Sequence, residues 1–502
     1  MTELTAADIA AITQGRLTAT AKPEQKIALA DLVTDSREAR AGALYVAKPG
    51  EFADGHTFIA DAVAGGAVLT LAEHEMNDEG GRPYPAVIVP DAVLAMGALA
   101  AHAVALLRAA GELTVIGITG SAGKTTTKDL LAGILSRLGR TVAPQGSYNG
   151  EVGVPLTVFR ADASTRFLVI EMGATGIGHI RYLASLVKPD IGVVLGVGTA
   201  HAGEFGGVEN IALAKGELVE ALAPTGVAVL NRDDPRVRQM AGRTPARTVY
   251  FGNAGTGSTQ GSAELQVLAE DAGTDQRGQP VFGLRFTDDP AGTRWPVSSK
   301  LLGLHHVTNL LAAAAAAYVA GAPARLIVES LNELKAASRW RMERTERPDG
   351  VTVINDAYNA NPESMRAALR TLAELGHGTG AAAGPGSQGR RTWAVLGPML
   401  ELGADSIHEH DAVGRVAVRL NISRLVVVGT EARAMHVGAV MEGSWGDESV
   451  FVPDAEAARE LLEQQLRPGD IVLVKSSNGA GLRFLGDRIA WRTTEGERKQ
   501  SR

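Results

Sequence analysis

The chain has 502 residues, of which 45% are hydrophobic and 21% charged, with a formal net charge of −7 and no cysteine. This length exceeds one ordinary domain and predicts roughly two to four globular domains. The absence of cysteine excludes disulfides, thiol catalysis and thiolate metal sites, and the acidic balance argues against nucleic acid as a partner, because a phosphate backbone requires a basic face.

Residues 1–111 form the first predicted domain. The initial stretch MTELTAADIAAITQG lacks the basic segment and apolar core of a signal peptide, and it predicts a helix that Thr5 could cap. Short strands and turns follow. The run AVLAMGALAAHAVALL, residues 92–107, is shorter than the ~18–20 apolar residues of a membrane span. We therefore expect a packed helix there, no membrane span, and a cytoplasmic protein.

Residues 112–336 are predicted to form a second domain, built on a largely parallel sheet with helices on both faces. Apolar runs recur along it, separated in several places by helix-length segments, at residues 113–119, 166–174, 189–198, 225–231 and 247–252. Residues 253–300 are rich in Gly, Asp, Thr and Pro and favour an irregular or antiparallel extension. The run NLLAAAAAAYVAGAP, residues 309–323, predicts a helix that ends at Gly-Ala-Pro.

Residues 337–492 are predicted to form a third, smaller doubly wound domain. Its strands are indicated by four apolar runs, VTVINDA, TWAVLG, RLVVVG and DIVLVKSS. The Gly- and Ala-rich stretch 376–391 is expected to be a mobile loop, and the polar tail 493–502 to be disordered. The expected fold class is therefore α/β, with a central parallel-sheet domain between a smaller N-terminal α/β domain and a C-terminal doubly wound domain.

The stretch GITGSAGKTTTKD, residues 117–129, is typical of a phosphate-binding loop between a strand and a helix. In such a loop Lys124 reaches the β- and γ-phosphates, and Thr125 offers its hydroxyl to Mg²⁺. Ile118 stands where the common pattern has its first Gly. The alternative is a Gly-rich turn with a surface lysine, but the apolar strand before the loop and the helix after it favour binding of ATP or GTP.

Two further strands end in side chains that could bind a metal ion, at the edge where open α/β sheets bind ligands. Glu171 follows FLVI and could complete a Mg²⁺ site with Thr125, and His201 follows GVVLGVGTA. Because histidine is an unusual Mg²⁺ ligand, a hydrogen-bonded histidine at the rim is an equal alternative for His201. Lys215, in the helical stretch 210–222, is on its own typical of a solvated helix face.

Motifs spread over residues 30–485 resemble those of the Mur ligases, the ATP-dependent amide-forming enzymes of peptidoglycan precursor synthesis. They are DSR (35–37), ADGHTF (53–58), TGSAGKTTT (119–127), NGEVGVPLT (149–157), GLHHVTNLLAA (303–313), WRME (340–343), NDAYNANPESM (355–365), LGPMLELG (396–403) and KSSN (475–478). Within the family DAYNANP is typical of the ligase that adds D-Ala-D-Ala, and the Asp-Asn-Pro-Arg motif of the diaminopimelate-adding ligase is absent. Gly150 and His306 replace the family's Asn, and Asn478 replaces its Arg.

This resemblance implies a site assembled from all three domains. The first domain is expected to bind the UDP end of one substrate, the central domain ATP, and the third domain the incoming amine. The residues implied in substrate binding are Ser36, Arg37, Asn149, Tyr358, Asn359 and Asn361. Those implied in ATP binding are Thr119, Gly120, Ser121, Ala122, Gly123, Lys124, Thr125, Thr126, Asn309, Arg341 and Asp356. One Mg²⁺ is expected on Thr125 and Glu171, and a second on His201 and a carbamylated Lys215.

The implied activity is ligation of D-Ala-D-Ala to UDP-N-acetylmuramoyl-tripeptide through an acyl phosphate, with four catalytic residues, Lys124, His201, Lys215 and Arg341. The rival interpretations are a sibling ligase, either for another Mur step or a folate polyglutamate ligase, a nucleotide-dependent switch or motor, and a pseudoenzyme. The motifs DAYNANP and DSR argue against a sibling ligase. The third α/β domain argues against a switch or motor, and the intact site residues argue against a pseudoenzyme. The enzyme is expected to be a monomer.

Overall fold

Three α/β units follow one another along the chain, each with its own main sheet. The computed structural model describes residues 3–50, 53–198, 205–255, 266–377, 389–443 and 448–491. Most of the expected mobile loop, the expected disordered tail and His201 lie outside these ranges.

The first unit combines a five-stranded sheet, a two-stranded ribbon and three helices. The ribbon pairs Glu3–Thr5 with Lys26–Ala28. The sheet has an antiparallel first pair and is otherwise parallel, in the order Arg16–Leu17, Ala86–Ile88, Leu69–Ala72, Leu44–Val46 and Leu32–Val33. The helices are Ala6–Ile12, Ile59–Ala64 and Ala92–Ala110.

Thr5 caps the first helix, as predicted. Its hydroxyl accepts a hydrogen bond from the Asp8 backbone N–H at 3.1 Å, and the Asp8 carboxylate accepts one from the Thr5 N–H at 2.9 Å. This reciprocal pair is a capping box, which gives partners to backbone N–H groups that a helix N-terminus would otherwise leave without them.

The helix Ala92–Ala110 is packed, as predicted, but it is longer than the apolar run that predicted it. With 19 residues it is, within the described ranges, the one helix long and apolar enough to cross a membrane by length and composition. Its length therefore does not exclude a span, contrary to our argument from residues 92–107. Half of the helix is buried, and a Cβ at Gly97 would lie 2.3 Å from the Tyr182 hydroxyl, so Gly97 permits close packing against the central unit.

The central unit is a nine-stranded sheet whose carboxyl edge carries the phosphate loop. The strand order is Trp295–Ser298, Pro280–Phe286, Gln266–Thr274, Arg247–Asn253, Val227–Asn231, Ile191–Val194, Thr114–Thr119, Phe167–Glu171 and Thr141–Val142. The first three of these strands pair antiparallel with one another, and all the other pairings are parallel, which confirms the predicted parallel sheet with an antiparallel extension. The helices are Lys124–Leu135, Gly153–Val158, His179–Val187, Val208–Glu220, Pro235–Gln239, His306–Val319 and Ala324–Glu333.

The third unit is a six-stranded sheet with helices on both faces. Its order is Glu343–Glu346, Thr352–Asn355, Ile471–Lys475, Thr392–Leu396, Arg424–Val428 and Ser449–Val452. The four inner strands are those predicted. Both edge strands were missed, since Glu343–Glu346 (ERTE) is polar and pairs antiparallel, and Ser449–Val452 is only four residues long. The helices are Pro362–His377, Ser406–Arg419, Arg433–Met441, Ala455–Gln465 and Leu482–Ala490.

The central and third units are in direct contact around the phosphate loop. The segment before the third sheet is held by Ser338, whose hydroxyl donates to Asp129 at 2.6 Å. Arg344 donates to the Arg277 carbonyl at 3.0 Å, and Leu302 belongs to the buried cluster of the third unit. These contacts bring the loops at the carboxyl ends of both sheets together.

Candidate active site

The phosphate loop lies between the strand Thr114–Thr119 and the helix Lys124–Leu135. Ile118, at the position where the common pattern has Gly, is a fully buried core residue of this strand. Gly123 has φ +81°, and a Cβ there would lie 2.1 Å from Asn309 Oδ1, so only glycine suits this position. The loop therefore keeps the strand–turn–helix geometry without the first Gly.

Side-chain hydrogen bonds hold the start and the middle of the loop. Thr119 donates to the Met172 carbonyl at 2.9 Å, and the Ser121 hydroxyl accepts from the Gly198 N–H at 2.9 Å. Ala122 is exposed and Thr126 is half-buried. Lys124 Nζ donates to the Gly120 carbonyl at 2.8 Å, so it folds back across the loop. Desolvation lowers the pKa of Lys124, and the charge of Glu171 opposes this shift.

Glu171 ends the neighbouring strand Phe167–Glu171 and is only 1% exposed. Its Oε1 accepts a hydrogen bond from Asn149 Nδ2 at 2.8 Å. Its Oε2 is buried and has no hydrogen-bond partner among the described residues. A buried carboxylate oxygen without a donor fits a metal ion, because burial of an uncompensated charge is costly.

Arg341 reaches from the third unit to the phosphate loop of the central unit. Its Nη2 donates to the hydroxyls of Thr125 at 3.1 Å and Ser147 at 3.0 Å, and these hydroxyls lie 2.9 Å apart. Its guanidinium carbon lies 4.4 Å from the centre of the Tyr358 ring. Its Nε is buried without an acceptor among the described residues, so one donor remains for an anion. Sequence reasoning missed Ser147, although it stands two residues before NGEVGVPLT.

Lys215 lies on the helix Val208–Glu220 and is 5% exposed. The interpretation of Lys215 as part of a solvated helix face is therefore wrong. Burial, and to a lesser degree the charge of Lys124, lowers the pKa of Lys215 to about 7. No group of three or more His, Asp or Glu side chains suited to a metal ion occurs within the described ranges, and His201 lies outside them.

Asn309 is buried directly beneath the loop. Its Oδ1 accepts from the Thr127 hydroxyl at 3.4 Å, and its Nδ2 lies 3.1 Å from His306 Nδ1. Burial lowers the pKa of His306 well below its usual range, so the neutral ring can accept from Asn309 at Nδ1. His306, which departs from the family pattern, thus orients Asn309.

Asp356 is buried and both of its carboxylate oxygens have partners. Oδ1 accepts from the Met342 backbone N–H at 3.0 Å, and Oδ2 accepts from Lys475 Nζ at 2.6 Å. The resemblance implies that Asp356 contacts the ribose of ATP, and a ribose hydroxyl would therefore have to share an oxygen with one of these donors.

The residues predicted to bind substrate fall into separate places. Ser36 and Arg37 lie in the first unit, where Arg37 is exposed and forms a two-point ion pair with Asp35, and no described contact joins them to the phosphate loop. Asn149 contacts Glu171, as described above. Tyr358 is half-buried and lies beside Arg341, whereas Asn359 is exposed and its carbonyl accepts from Lys475 Nζ at 2.9 Å.

Asn361 is buried and its side chain caps the helix Pro362–His377. Its Oδ1 accepts from the Ser364 N–H at 2.9 Å, and the Ser364 hydroxyl accepts from the Asn361 N–H at 3.0 Å. Asn361 Nδ2 takes no part in this cap and can donate to a ligand.

Three family models match the chain. The Mur ligase middle domain matches residues 118–317, the glutamate ligase domain of the Mur ligases matches residues 340–478, and the Mur ligase family catalytic domain matches residues 30–104. The three ranges follow the three sheets in order.

The chain is similar over most of its length to proteins named UDP-N-acetylmuramoyl-tripeptide–D-alanyl-D-alanine ligase. It is 46% identical to that of Mycobacterium leprae and 45% identical to that of Mycobacterium tuberculosis, in each case over 97% of this chain and 98% of the relative. The Escherichia coli relative is 32% identical over 91% of this chain and 92% of its own.

Solved structures show the same similarity. A crystal structure of MurF from Acinetobacter baumannii has a TM-score of 0.82 at 29% identity and covers 98% of this chain and 99% of its own. MurF from Thermotoga maritima, solved in complex with ADP, has a TM-score of 0.74 at 25% identity and covers 92% of this chain and 98% of its own.

Proposed function

The chain belongs to the Mur ligase family, and we propose that it joins D-Ala-D-Ala to UDP-N-acetylmuramoyl-tripeptide while converting ATP to ADP and phosphate. The expected three-domain α/β fold and the expected ATP-dependent ligase activity are both confirmed by the similarities above. It is a ligase of peptidoglycan precursor synthesis. We further propose that it acts as a cytoplasmic monomer.

One observation in the site supports this reaction above all. Two complementary buried atoms beside the phosphate loop lack partners among the described residues: Glu171 Oε2, which requires a cation, and Arg341 Nε, which requires an anion. A nucleoside triphosphate with its metal ion would provide both the cation and the anion. Because Arg341 belongs to the third unit, this arrangement couples nucleotide binding to the domain that is proposed to receive the amine.

The loop and the strand ends suit Mg²⁺. We propose that Thr125 and Glu171 hold one ion, with Ser147 close enough to Thr125 to join them, and that His201 and a carbamylated Lys215 hold a second. Bound Mg²⁺ would neutralise charge on the phosphates and the reacting carboxylate. The support is Glu171 Oε2, which has no hydrogen-bond partner among the described residues, and the buried, weakly basic Lys215 amine.

In the proposed reaction two anions must meet, so the chain concentrates positive charge between them. The tripeptide carboxylate attacks the γ-phosphorus, the bond to ADP breaks, and an acyl phosphate forms. The amine nitrogen of D-Ala-D-Ala then attacks the acyl carbon, loses a proton and expels phosphate. Lys124 would bind the β- and γ-phosphates, and Arg341 would neutralise the transferred group from the opposite side.

The third unit would also protect the acyl phosphate from water. Arg341 and Tyr358 lie over the loop only because the third unit contacts the central one, so its approach completes the site. Exclusion of water matters because hydrolysis of the acyl phosphate would release it without forming an amide.

Asn359→Ala is expected to raise the KM for D-Ala-D-Ala on the order of tenfold, with a smaller change for ATP, because a hydrogen bond to a charged group is lost. Asn361→Ala should raise the same KM and also lower the unfolding free energy by about 1 kcal/mol, since it removes a helix cap. Steady-state kinetics with each substrate varied separately, and thermal unfolding, check both. An unchanged KM for D-Ala-D-Ala in Asn359→Ala would contradict its proposed role.

The decisive assay for the function is phosphate release from ATP with UDP-N-acetylmuramoyl-tripeptide and D-Ala-D-Ala, each omitted in turn. We expect full turnover only when all three are present. Equal use of D-Ala, L-Ala or diaminopimelate as the amine would overturn the proposed substrate, even if ATP-dependent ligation persisted.

A further inference from the structure

Arg341 is held in an unusual stretch of backbone. Its two neighbours, Trp340 and Met342, have φ values of +58° and +52°. Side chains with a Cβ rarely adopt this left-handed conformation, and two such residues around one functional side chain require outside support.

The support on the Trp340 side comes from two acidic side chains. The Trp340 backbone N–H donates to Glu343 Oε2 at 3.0 Å, and its indole N–H donates to Asp487 Oδ1 at 3.0 Å. Both acceptors lie within the third unit, so this side of the turn is fastened to the sheet and to its last helix.

The support on the Met342 side depends on Lys475. The Met342 N–H donates to Asp356 Oδ1 at 3.0 Å, and the other oxygen of that carboxylate accepts from Lys475 Nζ at 2.6 Å. Lys475 is 2% exposed and also donates to the Asn359 carbonyl at 2.9 Å. One ammonium group at the end of the strand Ile471–Lys475 therefore connects the turn that carries Arg341 with the loop that carries Tyr358 and Asn359.

We propose that Lys475 is a positioning residue for Arg341, acting through Asp356 and the Met342 backbone. Without the ammonium, Asp356 would be a buried carboxylate with no compensating charge, and it would turn toward water and release the Met342 N–H. Arg341 would then lose its fixed approach to Thr125 and Ser147. This inference rests on the proposed function, since it is the ligation rate that reports on Arg341.

A double-mutant cycle tests the coupling. In the chain that retains Arg341, Lys475→Met should lower kcat on the order of tenfold. When Arg341→Ala is already present, the same substitution should lower kcat less than about twofold, because the side chain that Lys475 positions has been removed. The residual rates are measured as phosphate release at high enzyme concentration. If Lys475→Met does not fold, Asp356→Asn with Lys475→Met replaces it in the cycle, since that pair leaves no unpaired buried charge.

Arg391→Met is the matched control. Arg391 pairs with the buried Asp470 at 2.6 Å, just before the strand that Lys475 ends, and makes no described contact with the site. The Arg391→Met variant should have a lower thermal stability than the wild type and an unchanged kcat. If Lys475→Met instead lowers kcat by the same factor with and without Arg341, the inference is overturned while the proposed function stands. A wild-type chain that does not ligate would overturn both.

Discussion

Lys124→Ala is expected to abolish ligation and to leave the fold intact. The variant removes the cation proposed to bind the β- and γ-phosphates, and loss of one such charge in a preorganised site typically costs about 10²–10³ in kcat. The loop itself should persist, because Gly123 and the hydrogen bonds of Thr119 and Ser121 do not involve Lys124.

The thermal stability of this variant should not fall. Desolvation lowers the pKa of Lys124 in the folded chain, so the protonated amine favours the unfolded chain at every pH below its unfolded pKa. Removing it therefore removes a destabilising charge. The exposed Lys300, changed to Ala, is the control and should retain wild-type turnover. Near-normal turnover of Lys124→Ala would show that the assignment of the phosphate loop is wrong.

Lys215→Ala should be nearly inactive and partly rescued by short-chain carboxylates such as acetate or formate. Carbamylation requires the neutral amine, whose lone pair attacks CO₂ as a proton is released. With a pKa of about 7, about half of the Lys215 amine is neutral at pH 7, whereas an ordinary lysine is almost fully protonated. An added carboxylate could occupy the place that the carbamate leaves.

The pH dependence has a defined direction. At constant dissolved CO₂, protonation of Lys215 should reduce the carbamylated fraction as the pH falls through about 7. Mass spectrometry of the intact protein can follow the added CO₂. Carboxylates should not rescue Lys124→Ala, which serves as the control. Full activity of Lys215→Ala would mean that Lys215 is a buried structural lysine with no part in catalysis.

Several features could be predicted because they depend on neighbours in sequence. Thr5 and Asp8 form their capping box across three residues, and the inner strands follow from short apolar runs. The edge strand Glu343–Glu346 could not be predicted in this way, because it has no apolar run and exists only by pairing with Thr352–Asn355. Lys215 looked solvated because its helix shows several charges, and only packing reveals that its amine is buried.

The phosphate loop, the strands around it and the motifs that indicate the family can be predicted from the amino-acid sequence, because each is a local pattern of residue types. Which side chains contact one another depends on how the three units fold and pack. Arg341 reaches Thr125 across 216 residues and Lys475 reaches Asp356 across 119, so no local spacing could predict either contact. Glu171 and Arg341 each have one buried atom without a described hydrogen-bond partner, and their burial comes from the packing of the folded chain, which no local pattern of residues indicates.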